Sequence, residues 1–174
     1  AASDVYKRQG STEILDSPDF TNARAPLAAT FATVKDPDTK FVVIANHFKS
    51  KGGSGSGDNA SPDDDGNPSN NTGGWNGDRT RQAKAVIEFS TAQQQKQGTD
   101  LAFLAGDFNA YAKETPITTI TDAGYVDLLA SESDESYLFG GMVGSLDHIF
   151  ASPAAAKLVT DQEIWTINAY EPVS

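Results

Sequence analysis

The chain carries two histidines, His47 and His148. A lone histidine near a strand is more often structural than catalytic, so the neighbours of each decide its interest. Asp107-Phe108-Asn109 follows the apolar run Leu101–Gly106. In an extended backbone, positions i and i+2 share a face, so Asp107 and Asn109 point together. A carboxylate beside a neutral amide can orient a water or hold Mg²⁺. An Asx-turn leaving the strand would explain the same residues equally well. Asp147 and His148 interrupt an apolar segment of Leu146, Ile149 and Phe150. Ionisable groups there are costly unless paired. A metal-ligating carboxylate beside a general base would account for them; so would a satisfied polar pair at a strand end.

Those residues need elements to position them. Leu27–Val34 and Lys40–His47 read as strands joined at Asp36-Pro37-Asp38, an antiparallel hairpin. Phe41–Ala45 is apolar on both faces, which predicts a central, buried strand. Asp78–Gln97 reads as a helix capped by Asp78, with Ala83, Val86, Ile87 and Phe89 on its apolar face. Leu101–Gly106 completes a strand–helix–strand passage. A short helix is expected over Glu114–Asp122, with Pro116 tolerated in its first turn. Ser145–Ala151 is a further strand, and Lys157–Asn168 holds another. Alternation without repeats indicates a layered α/β fold with a mixed sheet and helices packed outside.

At 174 residues the chain fits one domain. No apolar run approaches the roughly 18 residues of a membrane span, and no protein partner is implied. The absence of cysteine removes thiol nucleophiles and zinc–thiolate sites. The net charge of −11 argues against a sequence-independent DNA binder, and it suits a protein that gathers divalent cations. Yet Lys49, Lys51, Arg79, Arg81 and Lys84 flank one loop, a local basic rim on an acidic body. Residues 1–9 read as a non-native or disordered leader, unrelated to the rest of the chain. Residues 52–74, rich in Gly, Asp and Asn, are too polar to fold alone. They are expected to form a disordered surface insertion, because motifs of one site lie on both sides. Asp63, Asp65 and Gly66 resemble a calcium loop, but Ser61 and Thr72 break the pattern.

Four passages together resemble the DNase I-like endonuclease/exonuclease/phosphatase superfamily, and most closely its ExeM-type extracellular bacterial endonucleases. They are Asn46–Gly52, Trp75-Asn76 with Arg81-Gln82-Ala83, Gly106–Tyr111 and Gly144–Ala151. The stretch Asn22–Leu27, the passage Gly124–Leu128 and the tail Ile167–Pro172 support them. The resemblance implies part of a four-layer DNase I-like α/β sandwich and a metal-dependent nuclease, extracellular or at the cell surface. It implies nucleic acid as substrate, DNA before RNA, and Mg²⁺ as cofactor, with Ca²⁺ or Mn²⁺ as alternatives. His148 would be the general base or hold the scissile phosphate, with Asp127 orienting its ring. Asp107 and Asn109 would position the attacking water and phosphate near the metal, and Asp147 would complete that metal shell. His47 would bind phosphate or assist the leaving group. Arg24, Lys49, Lys51, Asn76 and Arg81 are the substrate-binding candidates.

The same resemblance implies that residues 10–174 are the C-terminal part of one domain. The family's early Asn and metal-binding Glu have no counterpart here, so the chain alone is expected to be inactive. An apolar face of Val42, Ile44, Leu101, Phe103 and Ile149 is expected to lie uncovered. Six residues, His47, Asp107, Asn109, Asp127, Asp147 and His148, are expected to converge at one sheet end, with Asp127 hydrogen-bonded to a His148 ring nitrogen. A lipid or small-molecule phosphodiesterase, and a non-catalytic cation-binding module, are the competing functions.

Overall fold

The alternating strands β2 (Arg24–Thr33) and β3 (Lys40–His47) form the expected antiparallel hairpin, with Leu27 opposite Ala45 and Thr30 opposite Val42. The computed structural model describes residues 5–53, 55–60, 72–129, 137–139 and 142–162. Upstream lies β1 (Tyr6–Ile14); downstream come α1 (Asn76–Gln97), β4 (Ala102–Asp107), α2 (Thr115–Asp122) and β5 (Val126–Asp127). A small hairpin of β6 (Tyr137–Phe139) and β7 (Met142–Gly144) precedes β8 (Asp147–Ala151) and α3 (Pro153–Ala156). The main sheet has the order β1-β2-β3-β4-β8-β5. Among the described residues only the β3–β4 pair is parallel, as a crossover through α1 requires.

Register divides this sheet into two faces, because paired residues on neighbouring strands share a side. Ala28, Thr30, Val42, Ile44, Ala102, Leu104, His148 and Phe150 are buried on one of them. Their core neighbours include Ala83 and Val86 of α1 and Ile117 and Ile120 of α2. The opposite face carries Phe31, Phe41, Phe103 and Ile149, all only partly covered. There Phe41 meets Tyr6, Phe31 and Phe103 at ring separations of 5.3, 5.6 and 6.0 Å.

Several expectations change. Tyr6–Gln9, set aside as leader, pair with Thr33–Thr30 in the edge strand. Apart from Tyr6, which packs on Phe41, and the half-buried Gln9, their side chains are exposed, so the backbone ladder chiefly places them. Val42 and Ile44 lie against the helices, fully buried, and do not belong to the open face. Asp78 does not cap α1. Trp75 occupies the cap position in a left-handed conformation, φ 67°. Asn59, from the polar loop, supplies the cap instead: its Oδ1 accepts from the Asp78 amide at 2.8 Å, and its Nδ2 donates to the Asp78 carboxylate at 3.0 Å. The start of the insertion is thus an ordered turn docked on α1, with Gly57–Asn59 in a 3₁₀ turn. Residues 61–71, including the calcium-like positions, lie outside the described residues. So do residues 163–174, and no strand forms over 157–162.

Candidate active site

His47 ends β3, Asp107 ends β4 and Asp147 begins β8, and they stand side by side because His47 pairs with Asp107 and Asp107 with Asp147. Arg24, opposite His47 at the irregular start of β2, extends the row. All four therefore point from the open face, at the edge where β3 and β4 finish. Arg24 Nη1 lies 2.7 Å from His47 Nδ1. The same Nη1 lies 3.1 Å from His47 Nε2, so Arg24 stands against both ring nitrogens. His47 Nε2 sits 3.8 Å from Asp107 Oδ2. Asp107 Oδ1 accepts the amide of Asn109 at 2.8 Å, the Asx-turn that the spacing allowed. Asn109, at φ 50°, is buried and donates from Nδ2 to the Phe48 carbonyl at 3.1 Å. It braces the turn on which Asp107 stands.

The six expected residues do not all converge. His148 pairs in register with Gly106, one position out of phase with Asp147, and falls on the helix side of the sheet. It is 2% exposed. Asp127 Oδ2 lies 2.8 Å from its Nδ1, the expected pair. Its Nε2 lies 2.9 Å from the Ala110 carbonyl, and its ring is enclosed by Phe108 and Phe150. Both nitrogens of His148 are engaged inside the core, and His148 and Asp127 tie β5, β8 and the turn after Asp107 together.

The basic rim separates in the same way. Arg81 binds Asp58 and Asp78 at 2.6 and 2.5 Å, and these hydrogen bonds raise its already high pKa. Lys51 binds Glu114 at 2.5 Å and faces the Tyr111 ring. Burial pushes the Glu114 carboxyl upward against the pull of Lys51 and Arg79. Asn76 sits in the first turn of α1 with its Oδ1 buried and without a partner. Only Arg24 and Lys49 among the five substrate-binding candidates stand beside the open row. Lys49 lies over the Trp75 ring at 5.1 Å and reaches the Ser50 hydroxyl at 3.2 Å.

Two residues named from the sequence, Arg79 in the basic rim and Gly106 before Asp107, have supporting roles that spacing did not show. Arg79 is fully buried and donates to the carbonyls of Lys49, Gly74 and Thr72 at 3.2, 2.8 and 2.8 Å, so it holds the loop in place. Desolvation lowers its pKa. Gly106 has φ 135°, and a Cβ there would come within 2.1 Å of the Asn46 carbonyl oxygen. Its only signal in the sequence is a glycine directly before Asp107.

The donor set at the strand ends fits a divalent cation. Like charges directly opposite on neighbouring strands destabilise each other, and Asp107 and Asp147 are so placed. A hard cation between them would remove that repulsion. Mg²⁺ keeps several waters and commonly takes one or two carboxylates, which suits this pair. Among the described residues no group of three or more His, Cys, Asp or Glu gathers around one point, so an ion here would meet only this pair of carboxylates.

The molecule is thus a mixed sheet with helices on one face and acidic, basic and imidazole groups at one strand end. The Endonuclease/Exonuclease/phosphatase family model matches residues 8–170, and the chain belongs to that family of hydrolases, whose members are typically dependent on divalent metals. No curated protein sequence matches it. Among solved structures it is similar to the human Nocturnin catalytic domain, with TM-score 0.55 and 16% identity over 85% of this chain and 48% of that one. Truncated Caenorhabditis elegans TDP2 aligns with TM-score 0.56 and 14% identity, over 86% and 54%. A mannosyl-6-phosphatase of Bacteroides thetaiotaomicron aligns with TM-score 0.53 and 15% identity, over 87% and 55%. These likenesses establish the fold. The chain spans about half the length of the structures it matches.

Proposed function

We propose that this chain carries the catalytic strand ends of a metal-dependent phosphodiester hydrolase acting on nucleic acid, DNA before RNA, outside the cell. The observation that carries the reading is the row Arg24–His47–Asp107–Asp147 on one open face. The motifs Asn46–Gly52 and Gly144–Ala151 support the likeness to ExeM-type extracellular endonucleases.

Hydrolysis of a phosphodiester needs an activated water, neutralised non-bridging oxygens and a protonated leaving oxygen. Asp107 and Asp147 would hold Mg²⁺, which when bound supplies charge neutralisation and a more acidic water. Arg24 is placed to bind a non-bridging oxygen. Asp107, fixed by the Asn109 amide, orients the attacking water and accepts its proton as the new P–O bond forms. His47 would hydrogen-bond the departing oxygen, which takes up a proton from solvent water as the old P–O bond breaks.

The test is cleavage of supercoiled DNA, RNA and a sphingomyelin-type substrate with Mg²⁺, using the longest form of the protein that is produced folded. DNA nicking should be abolished by EDTA and should fall by about 10²–10⁴-fold in Asp107→Asn and in His47→Gln. Preferential turnover of the sphingomyelin-type substrate would favour a lipid or small-molecule phosphodiesterase, a reading that the net charge of −11 supports. No turnover of any phosphoester would sink the enzyme reading and leave the cation-binding module.

A further inference from the structure

We infer that Gln82 is a positioning residue for the Arg24–His47 pair: from inside α1, its side-chain amide ties the segment leading into Arg24 to the segment leading out of His47. The inference rests on the hydrolase reading above. It adds a residue that touches no substrate and acts through the two that would.

Gln82 is fully buried, which is costly for a primary amide unless its donor and acceptor groups are matched. They are matched across two chain segments. Its Oε1 accepts the Lys49 amide at 2.9 Å. Its Nε2 donates to the Asp19 carbonyl at 2.9 Å and to Asn22 Oδ1 at 3.3 Å. A backbone N–H only donates and a backbone carbonyl only accepts, so these partners fix which way the amide points. Asn22 in turn donates from Nδ2 to the Asp78 carboxylate at 2.5 Å, one turn before Gln82 on α1. Asn22 lies two residues before Arg24, and Lys49 lies two residues after His47.

The sheet alone leaves Arg24 loosely placed. β2 and β3 pair regularly from Ala32 and Lys40 to Leu27 and Ala45, but the register shifts between Leu27 and Arg24. Pro26, within that stretch, has no amide to give to the ladder. Arg24 is therefore held from its other side, by Asn22 and by the 3₁₀ turn Pro18–Phe20, whose Asp19 carbonyl Gln82 grips. Phe20 meets Phe48 at a ring separation of 5.9 Å, so apolar contact already brings the two segments together. Such contact is non-directional; the hydrogen bonds of Gln82 add a fixed distance and orientation. The pair that they frame is close, with Arg24 Nη1 2.7 and 3.1 Å from the two ring nitrogens of His47. Misplacing a reacting group by about 1 Å can cost about 10²-fold in rate.

The experiment uses Gln82→Met, which keeps the length of the side chain and removes its hydrogen bonds, with bis(p-nitrophenyl) phosphate and Mg²⁺. The substitution should lower kcat about tenfold and change KM by less than about twofold, because the pair acts on the reacting phosphate. In an Arg24→Ala background it should cost less than about twofold, since the group it positions is gone. An equal loss with and without Arg24 would overturn the inference. Position is read separately, without metal or substrate, from the imidazole nitrogen resonances of the two histidines. Gln82→Met should shift those of His47 and leave those of His148, bonded to Asp127 and the Ala110 carbonyl, in place. That result supports the positioning role even if no ester is turned over, in which case the hydrolase reading alone fails. Unmoved His47 resonances, or equal shifts at both histidines, overturn it. Should Gln82→Met not fold, Asn22→Ala removes one arm of the tie at an exposed position, and the same readings decide.

Discussion

Replacing His148 and replacing His47 should separate stability from activity. His148 is enclosed by aromatic rings and bonded at both nitrogens, and its partner Asp127 has a side chain only 6% exposed. His148→Ala would leave that carboxylate in the core without its imidazole. Breaking a buried pair from one side costs about 3–5 kcal/mol, which urea unfolding would show as a lower midpoint. His47 has a side chain 41% exposed, and its nearest carboxylate is 3.8 Å away. His47→Ala should change stability by no more than about 0.5 kcal/mol while lowering turnover. A fully stable His148→Ala protein would contradict the structural role given to that residue.

At the scale of elements, the β3–β4 junction and the start of α1 carry distinct predictions. Gly106→Ala puts a Cβ into the Asn46 carbonyl and forces a side-chain residue to φ 135°. It should destabilise the protein by more than about 2 kcal/mol and weaken Mg²⁺ binding, because Asp107 is the next residue. Calorimetric titration with Mg²⁺ would show the second effect. At the start of α1, burial raises the pKa of Asp78, but hydrogen bonds from Arg81, Asn59 and Asn22 outweigh it and leave the folded value below the ordinary range. A carboxyl with a lowered folded pKa contributes stability above its unfolded pKa, near 4, and loses it as pH falls through the folded value. Asp78→Asn should therefore reduce stability at pH 7 and flatten its fall below about pH 4. Solvent screening of the Arg81 pair keeps the difference under about 1 kcal/mol.

For the whole molecule, charge and the open aromatic face act against each other. The sequence pI is about 4.4 and the net charge at pH 7 is −11. Repulsion between copies should keep the protein dispersed at neutral pH, and its loss near the pI should let the face of Phe31, Phe41 and Phe103 associate. Light scattering against pH should rise towards the pI of about 4.4 and reverse on return to pH 7. Phe41→Ser, at the centre of the aromatic contacts, should lower that rise. Association equal in the variant would place the contact elsewhere.

Local pattern was enough for the framework. The apolar run before His47 is a central strand with the bounds Lys40–His47, as expected, although only its Val42, Ile44 and Asn46 side is buried. Asp107 ends its strand, and Asp147 begins β8, whereas the pattern places it within Ser145–Ala151. The Asp127–His148 bond was also legible, since a half-buried carboxylate needs a partner and few imidazoles exist. What each histidine faces was not. Neighbours in a strand alternate sides, so Asp147 and His148 had to part, but only pairing with β4 decides which of them meets Asp107. Nor could spacing show which cations are already matched. Asp58 and Arg81, 23 positions apart, and Lys51 and Glu114, 63 apart, meet only after folding. Sequence alone determined which residues could do chemistry and which strands carry them, because those are properties of local periodicity. Tertiary structure decided which of them share a face with solvent, because register and long-range ion pairing exist only once the sheet is assembled.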